Sequence, residues 1–262
     1  MDRFEHLNRD IMAAIAPRPG RYPLLGQISL KGQIALLCRM AFREGWNEHL
    51  AGHITVRLPD GNLLCNPWEL TWDEVTEADI VTVNPQGEVQ DSDWNVTPAI
   101  GLHLQLHAAR PDVHVVMHNH PEWSGLWACL GESPPPLDQA GAYVDGPLPV
   151  VSEYDGTFDD RDITAALVSA LGDAKWALLA NHGALVLGAN LRQAHLRMAT
   201  LEWRSKRAWQ ARLAGGGQVL PEAMVRQIAL PDANGFPFLF EAMARRELRL
   251  DPGILNAAET TA

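Results

Sequence analysis

The sequence predicts an α/β fold built as one large domain. Short apolar runs rich in β-branched residues, as in 113–121 and 177–187, alternate with longer stretches whose apolar residues recur at helical spacing, as in 29–45 and 191–213. The 262-residue length favours one large domain over two, and 47% apolar with 20% charged residues is ordinary for a globular protein with a sizeable core.

In chain order, residues 1–28 contain Pro17, Gly20 and Pro23, so they predict at most a short helix and then an irregular arm packed on another subunit. Ile34, Leu37, Cys38 and Ala41 make an apolar stripe, with Ser29 as N-cap and Gly45 as the stop of a helix. His53 to Leu58 alternates as a strand, Pro59-Asp60-Gly61-Asn62 turns the chain, and Leu63 to Asn66 completes a hairpin. A short helix is expected over 72–75 and a strand over 80–83, closed by the turn Asn84-Pro85-Gln86-Gly87. Thr97-Pro98 starts a helix running to Arg110, with Ala99, His103 and His107 on one face. Further expectations are a helix over 124–130, a strand or strand pair over 143–151, a helix over 159–171, a hairpin over 175–188 and the longest helix over 191–213. Weak helical signals follow at 223–228 and 238–247. The organisation is thus an arm (1–28), a main domain (29–215) and a helical extension (216–262) packed on the same domain.

Val113 to Pro121 reads as a buried strand. Residues two apart in a strand share a face, so His118 and His120 project together and Pro121 ends the ladder. A second apolar run, 177–180, leads to Asn181-His182-Gly183. Two core strands that each end in histidine can bring three imidazoles together and leave coordination positions open, the layout of a catalytic metal site. His118, His120 and His182 are therefore the candidate ligands of one divalent ion (Zn, Mn, Fe or Co), since imidazole suits several metals.

The net charge of −11 and pI of about 5.3 argue against a broad nucleic-acid footprint and against attraction to anionic membranes. Cys38, Cys65 and Cys129 form no C-x-x-C pattern and read as reduced core residues of a cytoplasmic protein. No apolar run approaches the ~20 residues that span a bilayer.

The order of elements resembles the class II aldolase/adducin superfamily. The matching pieces are Ala51 to Arg57, Leu64-Cys65-Asn66-Pro67, Ala78 to Val81, His107 to Val113, His118-Asn119-His120-Pro121 and Asn181 to Gly188, covering roughly 30–215. The resemblance implies a three-layer α/β/α sandwich with a central mixed, largely antiparallel sheet, a homo-oligomer (usually a tetramer), and a divalent metal on the histidines that match His118, His120 and His182. Two departures bear on activity. The glutamate that the family's sugar-phosphate aldolases carry 19 residues before the first metal histidine falls here on Ala99, which can neither ligate nor transfer a proton. His53 replaces the asparagine of their phosphate loop, and the second loop reads Asn66-Pro67-Trp68-Glu69-Leu70, poor company for a phosphate dianion.

The expected function is a metal-dependent carbon–carbon lyase, of decarboxylase or retro-aldol type. Its substrate would be a small hydroxylated or aromatic carboxylic acid, with the metal as Lewis acid. Trp68, Trp72, Trp123 and Trp127 offer flat walls for such a substrate, and Asn66, Trp68 and Trp123 are its expected contacts. His53, Glu122 and Tyr154 are the candidate proton donors, and His103 is the base if the protein is an aldolase after all. The rivals are an Fe(II)-dependent oxygenase of an aromatic hydroxy acid on the same three histidines and a non-catalytic adducin-like interaction module.

Overall fold

A computed structural model describes residues 25–152, 161–230 and 237–255. Most of the expected N-terminal arm, and Tyr154, lie outside the described residues. A seven-stranded sheet forms the middle layer, made of β1 (His53–Arg57), β2 (Leu63–Cys65), β3 (Val81–Val83), β4 (Val115–Asn119), β5 (Val150–Val151), β6 (Trp176–Leu179) and β7 (Gly183–Gly188). Its order is β3-β2-β1-β4-β7-β6-β5. Every neighbouring pair is antiparallel except β5 with β6, so the sheet is mixed and largely antiparallel.

Helices cover both faces. They are α1 (Leu30–Arg43), α2 (Ile100–Ala109), α3 (Glu122–Leu130), α4 (Arg161–Leu171), α5 (Leu191–Leu213), α6 (Glu222–Ile228) and α7 (Pro237–Leu250). Strand alternation sorts the core. Ile54, Val56, Met117, Leu178 and Val186 pack with residues of α1, α3, α5 and α7 on one side. Val116, Leu185 and Leu187 pack with Leu102 and Leu106 of α2 and Leu167 and Leu171 of α4 on the other. Because both faces are covered, β4 is buried along its whole length, which is why its sequence reads as a continuous apolar run. The result is the α/β/α sandwich that the sequence implied.

Local chemistry sets the ends. The Ser29 hydroxyl accepts from the Gly32 amide at 3.0 Å to cap α1, and Gly45, at φ +72°, turns the chain away after it. Asn190 caps α5 by accepting from the Gln193 amide at 3.0 Å. The structure differs from the sequence reading in three places. Residues 72–74 form a turn rather than a helix, held by Arg39, which donates to the carbonyls of Val75 and Glu74. Residues 143–151 yield only the two-residue β5, because Gly146 adopts φ +93° and Pro147 and Pro149 lack amide donors. Helix α2 begins at Ile100 rather than at Thr97, whose hydroxyl accepts from the Ala99 amide at 3.2 Å. Among the described residues no helix is long and apolar enough to cross a membrane.

His195 of α5 is fully buried between Trp46 and Phe240, with ring centroids 5.5 and 5.4 Å away, and neither ring nitrogen has a hydrogen-bond partner among the described residues. Burial, with a contribution from the Arg246 charge, pushes its pKa down to about 3. An unfolded chain takes up this proton near the ordinary histidine value. The stability tied to neutral His195 is therefore present above about pH 6.5 and is lost as pH falls toward the folded value. His195→Phe should raise stability by about 1 kcal/mol, because the unpartnered nitrogens leave the core. It should also shrink the loss of urea midpoint between pH 7 and pH 5 relative to the parent protein. Equal midpoints and equal pH losses for the two proteins would contradict this.

Candidate metal centre

Three side chains meet where β4 leaves the sheet and β6 turns into β7. One ligand atom from each of His118, His120 and His182 lies within 4.8 Å of the others. His118 is buried at the end of β4, His120 follows just past it, and His182 sits in the β6–β7 connection. Asn181 makes this connection possible by taking φ +58°, a conformation asparagine tolerates. The Asn181 amide donates to the Ala128 carbonyl at 3.1 Å and the His182 amide to that of Leu179 at 3.0 Å. Gly183 is required by closeness: a Cβ there would lie 2.5 Å from the Asn119 carbonyl oxygen and 2.9 Å from the His120 ring.

The imidazoles are oriented by their other nitrogens. A carbonyl only accepts, so His118 donates Nδ1–H to the Ala184 oxygen at 2.9 Å and keeps its lone pair on Nε2. His120 Nδ1 stands 3.2 Å from a Glu48 carboxylate oxygen and donates to it, which also leaves the lone pair on Nε2. His118 Nε2 and His182 Nε2 are 2.9 Å apart, close enough to share either a proton or a cation. Burial, reinforced by the neighbouring histidines, holds the His118 pKa well below the ordinary value and pushes that of His182 down to about 4. All of this fits a divalent metal: three imidazole donors, two with Nδ1 committed to another partner so that Nε2 is left for the ion, and among the described residues no carboxylate in the group.

A second histidine cluster adjoins the first. In the β1–β4 ladder His53 pairs with His118, and their ring centroids are 4.8 Å apart. His53 Nδ1 is 2.5 Å from His103 Nε2, the Thr55 hydroxyl is 2.7 Å from His103 Nδ1 and 2.9 Å from His107 Nε2, and His107 Nδ1 is 3.4 Å from the Val113 carbonyl oxygen. Burial and then His103 hold the His53 pKa well below the ordinary value. Burial and then His107 do the same for His103, and burial takes His107 down to about 4.

The other sequence candidates are placed as follows. Asn66 is buried, its carbonyl oxygen accepting from the Ile54 amide at 2.8 Å and its amide donating to Pro67 at 3.1 Å, so its side chain is committed to backbone. Trp68 is 45% exposed. Trp123 is half-buried, with the Lys206 ammonium 5.2 Å from its ring. Glu122 is exposed in the first turn of α3. Trp72 and Trp127 belong to the main hydrophobic core, where Trp72 packs against Gly52 and Trp127 donates to the Ser205 carbonyl at 3.0 Å, so these two indoles are core residues rather than aromatic walls. Sequence reasoning missed Glu48, a loop carboxylate with no periodic signal. It also missed Thr55 as a bridge, although its two-residue spacing from His53 places both on one face. Buried Glu202 of α5 escaped notice too. It accepts from the Ser124 and Trp123 amides at 2.7 and 3.2 Å, caps α3, and so anchors the segment that carries His120.

Comparison with known proteins identifies the family. Residues 32–209 match the family model described as the class II aldolase and adducin N-terminal domain, and the chain belongs to that family. A Caulobacter vibrioides protein whose name places it in aldolase class 2, with no substrate given, is 31% identical over 218 residues, 76% of this chain and 84% of its own length. The 5-methylthioribulose-1-phosphate/5-deoxyribulose-1-phosphate aldolase of Rhodospirillum rubrum is 28% identical over 200 residues, 74% of this chain and 87% of that one. The crystal structure of an aldolase II superfamily protein from Pseudomonas syringae superposes with a TM-score of 0.79 at 22% identity, covering 94% of this chain and 100% of the other, which shows the shared fold.

Two variants probe the centre. Glu48→Gln should weaken zinc binding by about 10–100-fold, because the outer partner of a ligating histidine is weakened. Competition against a chromophoric chelator measures it, and unchanged affinity would remove Glu48 from the site. Gly183→Ala should lose zinc binding more severely while melting cooperatively, since the added methyl separates β4 from the β6–β7 turn. Zinc affinity equal to the parent's would refute that account.

Proposed function

We propose that the protein is a divalent-metal carbon–carbon lyase acting on a small carboxylic acid that carries a hydroxyl or keto oxygen. The observation that carries this reading is the three-imidazole group, which among the described residues includes no carboxylate, while Ala99, where the resemblance places the glutamate of the family's sugar-phosphate aldolases, packs against the core. A metal bound there would supply Lewis acidity to the substrate oxygens, stabilising the negative charge that develops as the bond breaks. His118, His120 and His182 would hold it and leave positions open for a chelating substrate. His53, beside His118 and only 8% exposed, is placed to hold or move the proton. Glu122 is exposed, and its side chain is not drawn into the histidine group. Of the four tryptophans, Trp72 and Trp127 are committed to the core, whereas Trp68 and Trp123 keep surface that a substrate would use. Exposed Phe42, Leu50, Trp68 and Leu213 are apolar side chains that a homo-oligomer, on this reading a tetramer, would cover.

Elemental analysis of the purified protein, followed by turnover of a panel of small hydroxy and keto acids and sugar phosphates under strictly anaerobic conditions, tests the reading. Cleavage of a carbon–carbon bond without oxygen, supported by Mn, Zn or Co and abolished by His118→Ala, is the expected result. Turnover that requires Fe(II) and consumes dioxygen would replace it with the oxygenase reading. Failure to bind any metal would replace it with a non-catalytic module.

A further inference from the structure

The five groups joining His53 to the Val113 carbonyl form one hydrogen-bonded row whose direction is fixed at its far end. The Val113 oxygen has no proton, so His107 must give its Nδ1–H to it. Neutral His107 then has a bare Nε2, which can only accept, and the Thr55 hydroxyl donates to it. The single hydroxyl proton is thereby spent, so Thr55 Oγ1 accepts from His103 Nδ1–H. His103 Nε2 is bare in turn and accepts Nδ1–H from His53. Each step leaves the next nitrogen no choice. The row ends on His53 Nε2, which takes no hydrogen bond among the described residues and lies on the side chain paired with the first metal histidine.

From this row of contacts we infer that Thr55, His103 and His107 are positioning residues that hold His53 in its Nδ1–H tautomer and present a lone pair on Nε2, making His53 the site's proton acceptor. This rests on the reading of the neighbouring histidines as a catalytic metal centre, but the tautomers can be examined without any metal. The row also explains how α2 contributes without a carboxylate: His103 stands one turn beyond Ala99 on the same helix and reaches the site through His53. Thr55 is the one side chain of the row without an imidazole, and its hydroxyl must both donate and accept, a task only serine can share with so little change of shape.

The experiment is a long-range proton–nitrogen correlation spectrum of the metal-free, nitrogen-15 histidine-labelled protein. Expected are neutral Nδ1–H patterns for His53, His103 and His107, the opposite of the tautomer that free neutral histidine favours. An Nε2–H pattern for any of the three overturns the inference in the parent protein, with no variant needed. Thr55→Val removes the hydroxyl at nearly constant volume and should let His103 or His53 revert to Nε2–H, while Thr55→Ser should restore the parent pattern. A valine variant with unaltered tautomers would refute the row. Zinc affinity should be the same in parent, valine and serine proteins, because no member of the row is one of the three ligands and Thr55 lies at its far side from them, bonded to His103 and His107. Affinity lost in the valine variant alone would show that the row serves the metal rather than His53. Parent protein that shows the expected tautomers yet binds no zinc would leave the row intact and sink the metal reading instead.

Discussion

The register of three neighbouring strands, β1, β4 and β7, is the constraint on which the site depends. It sets His53, His118 and Leu185 in one row and Thr55, Val116 and Leu187 in the next. A slip of one residue in either ladder would carry His118 to the opposite face, among Met117's neighbours and away from α2. Two things resist such a slip. Valine and leucine side chains on each face already fill a core of their own. The inward residues of β1 are also tied one by one to α2: His53 to His103, Thr55 to His103 and His107, and Arg57 to the His107 carbonyl at 2.8 Å. The strand that offers His53 and the helix that orients it are thus locked by the same contacts.

Crowding is the second consequence. Of the chain's 10 histidines, six (His53, His103, His107, His118, His120 and His182) lie in two adjoining groups. Protonating several at once in so small a volume would set like charges against each other, and burial already disfavours the charged form. The cluster therefore favours the neutral state that both metal ligation and the directional row require. Glu48 is the carboxylate that touches it, and it does so at the exposed rim, where its charge is partly screened.

Much of this was legible in the chain. Val113 to Pro121 announced a central strand, and the two-residue spacing of His118 and His120 placed both on one side before any coordinates. The Asn181-His182-Gly183 turn announced the third histidine of the group, because glycine and asparagine mark the backbone that a tight connection needs. What escaped were contacts that no local pattern encodes. Glu48 reaches His120 across a long loop, and Glu202 reaches the start of α3 from a distant helix. The tryptophans misled for a related reason. Indole rings suit a binding wall and a hydrophobic core equally well, and only three-dimensional packing assigned Trp72 and Trp127 to the core. His103 and His107 were expected on one face of their helix, but the neighbour that gives them a role, Thr55, belongs to a different element.

On the proposed reading, having Ala99 where the resemblance places the glutamate of the family's sugar-phosphate aldolases would change the charge of the centre as well as its proton chemistry. A divalent ion held by three imidazoles alone keeps its full charge, since none of the ligands is anionic, whereas a ligating glutamate would cancel part of it. In a partly buried setting that difference is large on the scale of binding energies. The uncompensated charge favours a substrate that brings its own anion to the open positions, such as a carboxylate chelating together with a neighbouring oxygen. A neutral base suits the same situation. His53 can take a proton there without adding a second negative charge to compete with the substrate for the cation, which a glutamate base would do. On the proposed reading, the missing carboxylate and the histidine row would then be two sides of one electrostatic arrangement, in which the negative charge at the centre is left for the substrate to supply.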